Sequence, residues 1–154
     1  MSDDMPPGYH PLNLHGRFYD SAGPLYARVM RGKFNLAFRV AEKHTNAADI
    51  AHGGALATLA DLQIGIGACV QADIDGFVPT VSLSCDYLAP VPLGRLVEGR
   101  CEVARRTRSL VFMEAHLVSD GETVVRANGI VKIPRDPKRF NLQDVLPPPY
   151  DSAT

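Results

Sequence analysis

The chain has 154 residues, of which 45% are hydrophobic and 21% charged, a composition that suits one globular domain with one core. Its formal net charge of −1 argues against bulk attraction to nucleic acid or to an anionic membrane. The three cysteines are odd in number and none are spaced as in a zinc finger, so we predict reduced core thiols at Cys69, Cys85 and Cys101. No basic-then-apolar leader opens the chain, and we expect a cytoplasmic protein without a membrane span.

The first third of the chain predicts an irregular segment followed by a β-hairpin. Residues 1–23 are rich in Pro, Gly and Asp, and we expect them to hold a short helix or to lie loosely on the surface. Residues 25–30 and 34–41 predict two strands, joined at Arg31-Gly32-Lys33. Residues 42–51 are polar and predict a loop.

A long apolar helix is predicted next, from about Gly53 to Gln71. Its large apolar residues surround its whole circumference, which predicts burial on nearly all sides; they are Leu56, Leu59, Leu62, Ile64, Ile66 and Val70. One carboxylate, Asp61, interrupts this surface. Burying an unpaired acid is strongly unfavourable, so its presence indicates an acid kept for chemistry. Gly65 and Gly67 each weaken the helix by about 1 kcal/mol relative to alanine, which predicts close approach of a backbone or a ligand.

After the helix, apolar and polar residues alternate with a period of two, which predicts strands. Val81, Leu83, Cys85 and Tyr87 are expected on one face of the first. Further strands are predicted near residues 97–103, 110–118 and 123–133, with a hairpin turn at Asp120-Gly121 and an extended tail over residues 136–154.

This outline of two strands, one helix and four strands in a meander predicts an α+β hotdog fold. In that fold an antiparallel sheet of about six strands wraps around one long central helix. We predict a single domain over residues 1–154, with its core at about 25–133 and irregular tails.

The turn His52-Gly53-Gly54 precedes the helix and is a candidate oxyanion site. The first-turn N–H groups of a helix have no partners within the helix, and the helix dipole adds positive charge there. An amide donor of this kind contributes about 3 kcal/mol to stabilising a developing oxyanion. The alternative is that the glycines only permit a tight turn.

The spacing between Gly53 and Asp61 predicts a homodimer. Eight residues of helix separate them by roughly 12 Å, so both groups of one chain cannot contact the same carbonyl. If both act on one substrate, they come from two chains and the site lies at the subunit seam. The alternative is that Asp61 hydrogen-bonds a buried hydroxyl or a partner backbone and only fixes the interface.

Several polar residues are further candidates. Asn46 and His52 could hold a water or a carbonyl, or else serve as a turn residue and a helix cap. Thr80 could orient a water beside Asp61, or be structural. The guanidinium cluster around residues 105–108, with Ser109, suits a phosphate, although a solvated hairpin tip fits equally. We predict no metal site, since the spacing of the nearby histidines matches no familiar one.

The pattern Asn46-x5-His52-Gly53-Gly54-x6-Asp61 resembles the signature of PaaI-like hotdog thioesterases, within the 4-hydroxybenzoyl-CoA thioesterase superfamily. Residues 40–46 (VAEKHTN) and 80–90 (TVSLSCDYLAP) are similar to that group too. The likeness covers about residues 25–133. It implies that Asp61 is the general base or nucleophile and that the Gly53 N–H polarises the thioester carbonyl. Asn46 and His52 would support the site from one loop, and Thr80 would orient the water.

The resemblance also implies an assembly and a ligand. Members form dimers of dimers and bind coenzyme A at a subunit interface, which implies a homotetramer here. Arg106, Arg108 and Ser109 fall where members place a Gly-basic-hydroxyl turn for the nucleotide, with Thr107 in place of the glycine.

The prediction is therefore an acyl-CoA thioesterase that needs no cofactor, because coenzyme A is part of the substrate. Two other functions stay open. A hotdog enoyl-CoA hydratase would use an Asp and His pair on one loop, and Asp49 with His52 is the nearest pair. A non-catalytic acyl-CoA-binding module would bind without cleavage. Four apolar residues are candidates for the acyl pocket: Leu62, Ile66, Phe77 and Leu88.

Overall fold

The computed structural model describes residues 4–136 and 141–146. Within them the chain forms seven strands and three α-helices, in the order β1 (His10–Pro11), α1 (Arg17–Ala22), β2 (Tyr26–Met30), β3 (Lys33–Arg39), α2 (Gly53–Gln71), β4 (Thr80–Tyr87), β5 (Leu96–Arg106), β6 (Leu110–Ser119), β7 (Glu122–Lys132) and α3 (Leu142–Val145). The predicted bounds of the long helix are confirmed. The sheet has one more strand than predicted, because β1 pairs with β2.

All seven strands are antiparallel to their neighbours and form one sheet, in the order β1-β2-β3-β5-β6-β7-β4. The prediction that the last four strands form a meander is wrong for the first of them. Only β5, β6 and β7 follow one another. The strand β4 pairs with β7 and occupies the edge of the sheet. Asp120 and Gly121 both have positive φ, which fits the predicted hairpin turn between β6 and β7.

The helix α2 lies against the sheet, and one polar side chain fixes it there. Gln63 is fully buried. Its Oε1 accepts from Leu36 N at 2.9 Å, and its Nε2 donates to Phe34 O at 2.8 Å. Strand β3 pairs with β5 only from Ala37 onward. The Gln63 amide therefore satisfies the backbone groups of β3 where the sheet splits, and it joins the helix to that strand.

The helix is not buried on all sides, contrary to the prediction. Leu56, Leu59 and Ile64 are buried, whereas Asp61 and Gly65 are only half-buried. The reason is that the sheet curves around α2 without closing over this face. By length and composition α2 could span a membrane, but half of its apolar window is buried inside the protein, and the core helix of a globular domain passes the same test.

The N-terminal segment holds the short helix that was one of its two predicted forms, and in addition the strand β1; the described part of the C-terminal segment is more ordered than predicted. The N-terminal segment contains β1 and α1. In the C-terminal segment, predicted to be extended, α3 forms a short helix whose Leu142 and Val145 are buried. Apolar residues in the tail drive this docking, since burial of such side chains is favourable wherever the core offers a place. The rest of the predicted extended tail, residues 137–140 and 147–154, lies outside the described residues.

The cysteines are free, as predicted, and two of the three are core residues. Cys69 and Cys101 are buried, whereas Cys85 is half-buried. Burial raises the pKa of the Cys101 thiol to about 11 and that of Cys69 to about 12. These two thiols therefore stay protonated and unreactive near neutral pH.

We expect Gln63→Leu to lower the free energy of unfolding by about 2–4 kcal/mol, because it leaves Phe34 O and Leu36 N buried without partners. Urea denaturation followed by circular dichroism measures the loss. The control is Gln71→Leu, which makes the same change at a half-buried position of α2. The Gln71 amide donates to Cys101 O at 3.2 Å, but water can replace a partner at a half-buried site, so this variant should cost far less. Equal losses in the two variants would contradict the role given to Gln63.

Candidate active site

A cleft of about 490 Å³ opens on the half-buried face of α2. One wall is α2 itself, and a second is the segment that leads into β4. Residues 13–19 and 141–145, which we call the terminal segments, contribute the remainder. The lining side chains include Asp61, Leu62, Gly65, Ile66, Cys69, Phe77, Val78, Thr80, Asn13, His15, Asp144 and Val145. Three of the four predicted acyl-pocket residues line the cleft, and Leu88 does not.

Asp61 and Thr80 meet at this cleft. The Thr80 hydroxyl donates a 2.7 Å hydrogen bond to Asp61 Oδ1. Asp61 is half-buried rather than buried, so the argument from an acid enclosed in the core does not apply within one chain. What marks the residue is its placement: one carboxylate oxygen is held by Thr80, on a helix face that the sheet leaves uncovered.

A β-bulge turns Thr80 toward Asp61. Thr80 pairs with Val131 and Ser82 with Ile130, so two residues of β4 oppose one of β7 between them. Beyond the bulge, Leu83 and Cys85 pack against the core. The predicted alternation therefore holds from residue 83 onward and fails at Val81, which is 59% exposed. The extra residue moves Thr80 onto the helix-facing side, as bulges often do beside functional sites.

The start of α2 leaves one amide without a partner. His52 is the N-cap, and its Nδ1 accepts from Gly54 N at 2.8 Å. Its carbonyl accepts from Ala55 N and Leu56 N. Among the described residues nothing accepts from Gly53 N, and this N–H remains free at the positive end of the helix dipole.

Tyr87 fixes the same turn, a role that the sequence analysis missed. Its hydroxyl donates to Gly53 O at 2.9 Å. Together with the Thr80–Asp61 bond, this contact ties both ends of β4 to α2. Tyr87 shares the helix-facing side of β4 with Cys85, so the period-two pattern was the available signal. Gly53 and Asp61 are still eight residues apart on one straight helix, roughly 12 Å.

Asn46 and His52 do not line the cleft. Asn46 Oδ1 accepts from Ala48 N at 2.9 Å, and Asn46 N donates to Ile50 O. Within this chain Asn46 is a turn residue and His52 a cap, which were the alternatives to their predicted catalytic roles. Asp49 is exposed with a φ of 56° and is also absent from the cleft. The pair that a hydratase would use, Asp49 and His52, is therefore not brought to it.

The arginine turn lies at the same end of the sheet as Thr80. Arg106 pairs with Val111, Val111 with Val131, and Val131 with Thr80. Three strand spacings separate Arg106 from Thr80, roughly 14 Å. Arg106 Nη1 donates to Ala72 O at the C-terminus of α2 at 2.5 Å. Arg108 and Ser109 are exposed and present their polar groups to solvent.

His44 supports the loop that leads to His52. Its Nε2 bonds Ala22 O at 2.7 Å and its Nδ1 accepts from Ala41 N at 3.0 Å, which fits the neutral ring. The carbonyl of His44 accepts from His52 N at 2.7 Å. Burial lowers the pKa of His44 below its ordinary value. The neutral imidazole therefore joins the end of α1 to the loop, and the backbone carbonyl of His44 joins the loop to the cap of α2.

The family is decided by comparison with known proteins. The model of the thioesterase superfamily matches residues 48–126, a span that contains α2, Asp61 and Thr80. The chain belongs to the thioesterase superfamily. The present chain is 30% identical over 132 residues to PA0474 of Pseudomonas aeruginosa, a protein provisionally named an esterase. The match covers 85% of this chain and 98% of PA0474.

Solved structures confirm the predicted family and hotdog fold of this thioesterase-superfamily chain. It matches a mutant of the phenylacetic acid degradation protein PaaI from Thermus thermophilus with a TM-score of 0.65 at 26% identity, over 76% of this chain and 98% of PaaI. A hypothetical thioesterase from Streptococcus pneumoniae, solved with coenzyme A, shares the fold with a TM-score of 0.64 at 23% identity, over 75% of this chain and 91% of that one.

Acidification should destabilise the protein through His44. Because the folded pKa is lowered, the unfolded chain takes up the proton first. The free energy of unfolding should then fall as the pH drops below about 6.5, until the pH passes the folded pKa. Denaturation between about pH 7.5 and pH 5.5 measures this slope. His44→Gln should flatten it, and His116→Gln, an exposed position on β6, should not; equal slopes in all three proteins would contradict the assignment.

Proposed function

We propose that this thioesterase-superfamily protein hydrolyses acyl-CoA thioesters to a carboxylic acid and free coenzyme A. The observation that carries the proposal is the Asp61 carboxylate, which lines the cleft and accepts a hydrogen bond from Thr80. One of its oxygens bonds the hydroxyl, and the other is available to a water. A hydrolase needs such a positioned base beside a pocket for the acyl group.

Asp61 would activate water in the first step. The carboxylate takes a proton from a water molecule as the water oxygen attacks the thioester carbonyl carbon. The tetrahedral intermediate then collapses, the carbon–sulfur bond breaks, and the proton passes from Asp61 to the departing thiolate. In a second route Asp61 attacks the carbonyl itself, and water hydrolyses the resulting anhydride. In both routes thioester and water become acid and thiol.

Gly53 of a second chain would stabilise the oxyanion. Its N–H is free among the described residues, and a charge that develops on the carbonyl oxygen is stabilised most by a donor fixed beforehand. Asp61 and Gly53 of one chain are too far apart to share a substrate carbonyl, so the proposal requires two protomers. Asn46 and His52 would hold the loop that presents this amide, rather than contact the substrate.

The exposed edge of the sheet supports the required homodimer. The strand β4 lies at that edge with its outer backbone groups unpaired in the sheet order, and an open edge readily adds a strand from a second copy. Large apolar side chains accompany it, since Val81, Tyr87 and Leu88 are all more than half exposed. Pairing of β4 with its own copy would place two α2 helices side by side. We propose a homodimer at least, and a homotetramer as the full assembly.

The arginine turn is the proposed site for the nucleotide part of coenzyme A. Arg108 and Ser109 are exposed and offer a guanidinium and a hydroxyl to phosphate. Arg106, which is already bonded to Ala72 O, would orient the turn and add charge. The coenzyme A in the Streptococcus pneumoniae relative supports a ligand of this type. The proposed reaction uses no cofactor.

We expect Asp61→Asn to lower kcat for acyl-CoA hydrolysis by about 10²- to 10⁴-fold, because an amide cannot accept the proton. Its melting temperature should change little, since the amide oxygen still accepts from Thr80. Thiol release measured with a disulfide reagent follows the reaction over a panel of acyl-CoAs. Thr80→Val should lower kcat less, and Thr80→Ser, which keeps the hydroxyl, should restore it. Full turnover by Asp61→Asn would defeat the mechanism.

The two-chain site can be tested with Gly53→Pro. Proline is well tolerated at the first position of a helix and removes only the N–H in question; we expect about a 10²- to 10³-fold loss. Gly53→Ala keeps the N–H and imposes the same contact with the Tyr87 ring, where a Cβ would lie 3.3 Å from Cζ, so it serves as the matched control.

Mixing the two inactive variants then distinguishes one chain from two. Co-refolded Asp61→Asn and Gly53→Pro subunits should recover about a quarter of the wild-type activity, because half of random dimers are mixed and each has one intact site. No recovery would show that both groups act within one chain. Light scattering should give a multiple of the 16.7 kDa chain mass.

A further inference from the structure

Gly65 leaves an opening beside Asp61, the proposed general base. It lies four residues after Asp61, one turn further along the same face of α2. It lines the cleft, and a Cβ built on it would meet nothing within 4 Å. Gly67 differs, because a Cβ there would overlap Cys101 Sγ. Close packing therefore explains the second glycine of the helix and leaves the first unexplained.

The backbone conformation at residue 65 does not require glycine. Its φ is not in the left-handed region, and glycine weakens a helix relative to alanine. The helix thus carries a destabilising residue at the point where it borders empty space. Next to Gly65 in the sequence, and in the segment that leads into β4, the residues that line the cleft are apolar: Leu62, Ile66, Phe77 and Val78. The polar lining residues are Asp61, Thr80 and members of the terminal segments. A pocket of this kind suits a bulky apolar group.

The terminal segments line the same space. Asn13 Nδ2 donates to Asp144 O at 3.0 Å, and Asn13 N donates to Val145 O at 3.1 Å. These bonds join the two segments to each other. Val145 is buried and lines the cleft, so α3 contributes an apolar part of its wall. The cleft runs from Asp61 past Gly65 to Cys69, eight residues or roughly 12 Å along the helix.

We propose that Gly65 is the specificity-determining residue of the reaction: its missing side chain admits an acyl group that is wide next to the carbonyl, and Val145 of α3 limits the length of that group. The inference rests on the proposed function, since it assumes that the thioester carbonyl lies at Asp61. It adds the direction in which the acyl group extends, toward the C-terminus of α2.

Substitutions that fill or extend the cleft test this. The probes are benzoyl-CoA and heptanoyl-CoA, which have equal numbers of acyl carbons and differ in width at the carbonyl. Gly65→Ala and Gly65→Val should lower the benzoyl-to-heptanoyl ratio of kcat/KM stepwise, by about tenfold or more for valine. Val145→Ala should raise kcat/KM for dodecanoyl-CoA relative to heptanoyl-CoA. Gly65→Ala should melt at or above the wild-type temperature, which separates a specificity effect from unfolding.

Ala55→Val is the matched control. It adds bulk at a half-buried position of α2 that lies on a different helix face from Asp61 and Gly65 and outside the cleft lining, and it should leave the ratio unchanged. A ratio that responds to Ala55→Val and not to the Gly65 variants would overturn the inference, and so would an unchanged ratio in all variants of an active enzyme. A wild-type protein that hydrolyses no acyl-CoA would overturn the proposed function itself.

Discussion

The structure depends on a sheet that curves around one helix and stops before it encloses it. Gln63 fastens α2 to the split between β3 and β5, and Leu59 and Ile64 fill the concave side. The opposite stripe of the same helix stays half-buried. Burial of each face of so apolar a helix would add stability. A half-buried stripe that carries a carboxylate is therefore better explained by a functional surface than by packing. The free amide of Gly53, the Asp61 carboxylate and the cleft beyond it all lie on or beside that stripe.

The edge strand β4 fixes the positions of the functional groups on this stripe. It contacts α2 at both ends, through Thr80 on Asp61 and through Tyr87 on the carbonyl of Gly53. The bulge after Thr80 is what allows a strand of period two to place residues 80 and 87 on the same side. The same strand carries exposed apolar residues and an open backbone edge. A second copy that paired there would bring its Gly53 amide toward Asp61, so assembly and completion of the site would be one event.

The helix bounds and one hairpin turn could be predicted from the sequence, because local residue patterns determine them. The helix bounds followed from apolar density and from the His52-Gly53-Gly54 turn, and the hairpin at Asp120-Gly121 from its turn chemistry. The position of β4 was not readable, because strand order depends on contacts distant in sequence. The bulge was missed because it breaks the alternation used to find the strand. The burial of Asp61 was overestimated, since apolar neighbours along a helix do not reveal which face the sheet leaves open.

The structure of the two terminal segments also depends on contacts distant in sequence and could not be predicted from local patterns. Their composition predicted irregular structure, yet Leu142 and Val145 dock, and Asn13 bonds the backbone of α3. No local pattern marks a short segment that folds only against a core made elsewhere. Gly65 and Gly67 sharpen the point, because two glycines of one helix, two residues apart, have different causes. Gly67 is required by the thiol of Cys101, which leaves no room for a side chain, whereas Gly65 borders the cleft that the terminal segments help to line. Sequence alone assigns both to close approach, and only the packing around each separates a structural glycine from one that leaves room for a ligand.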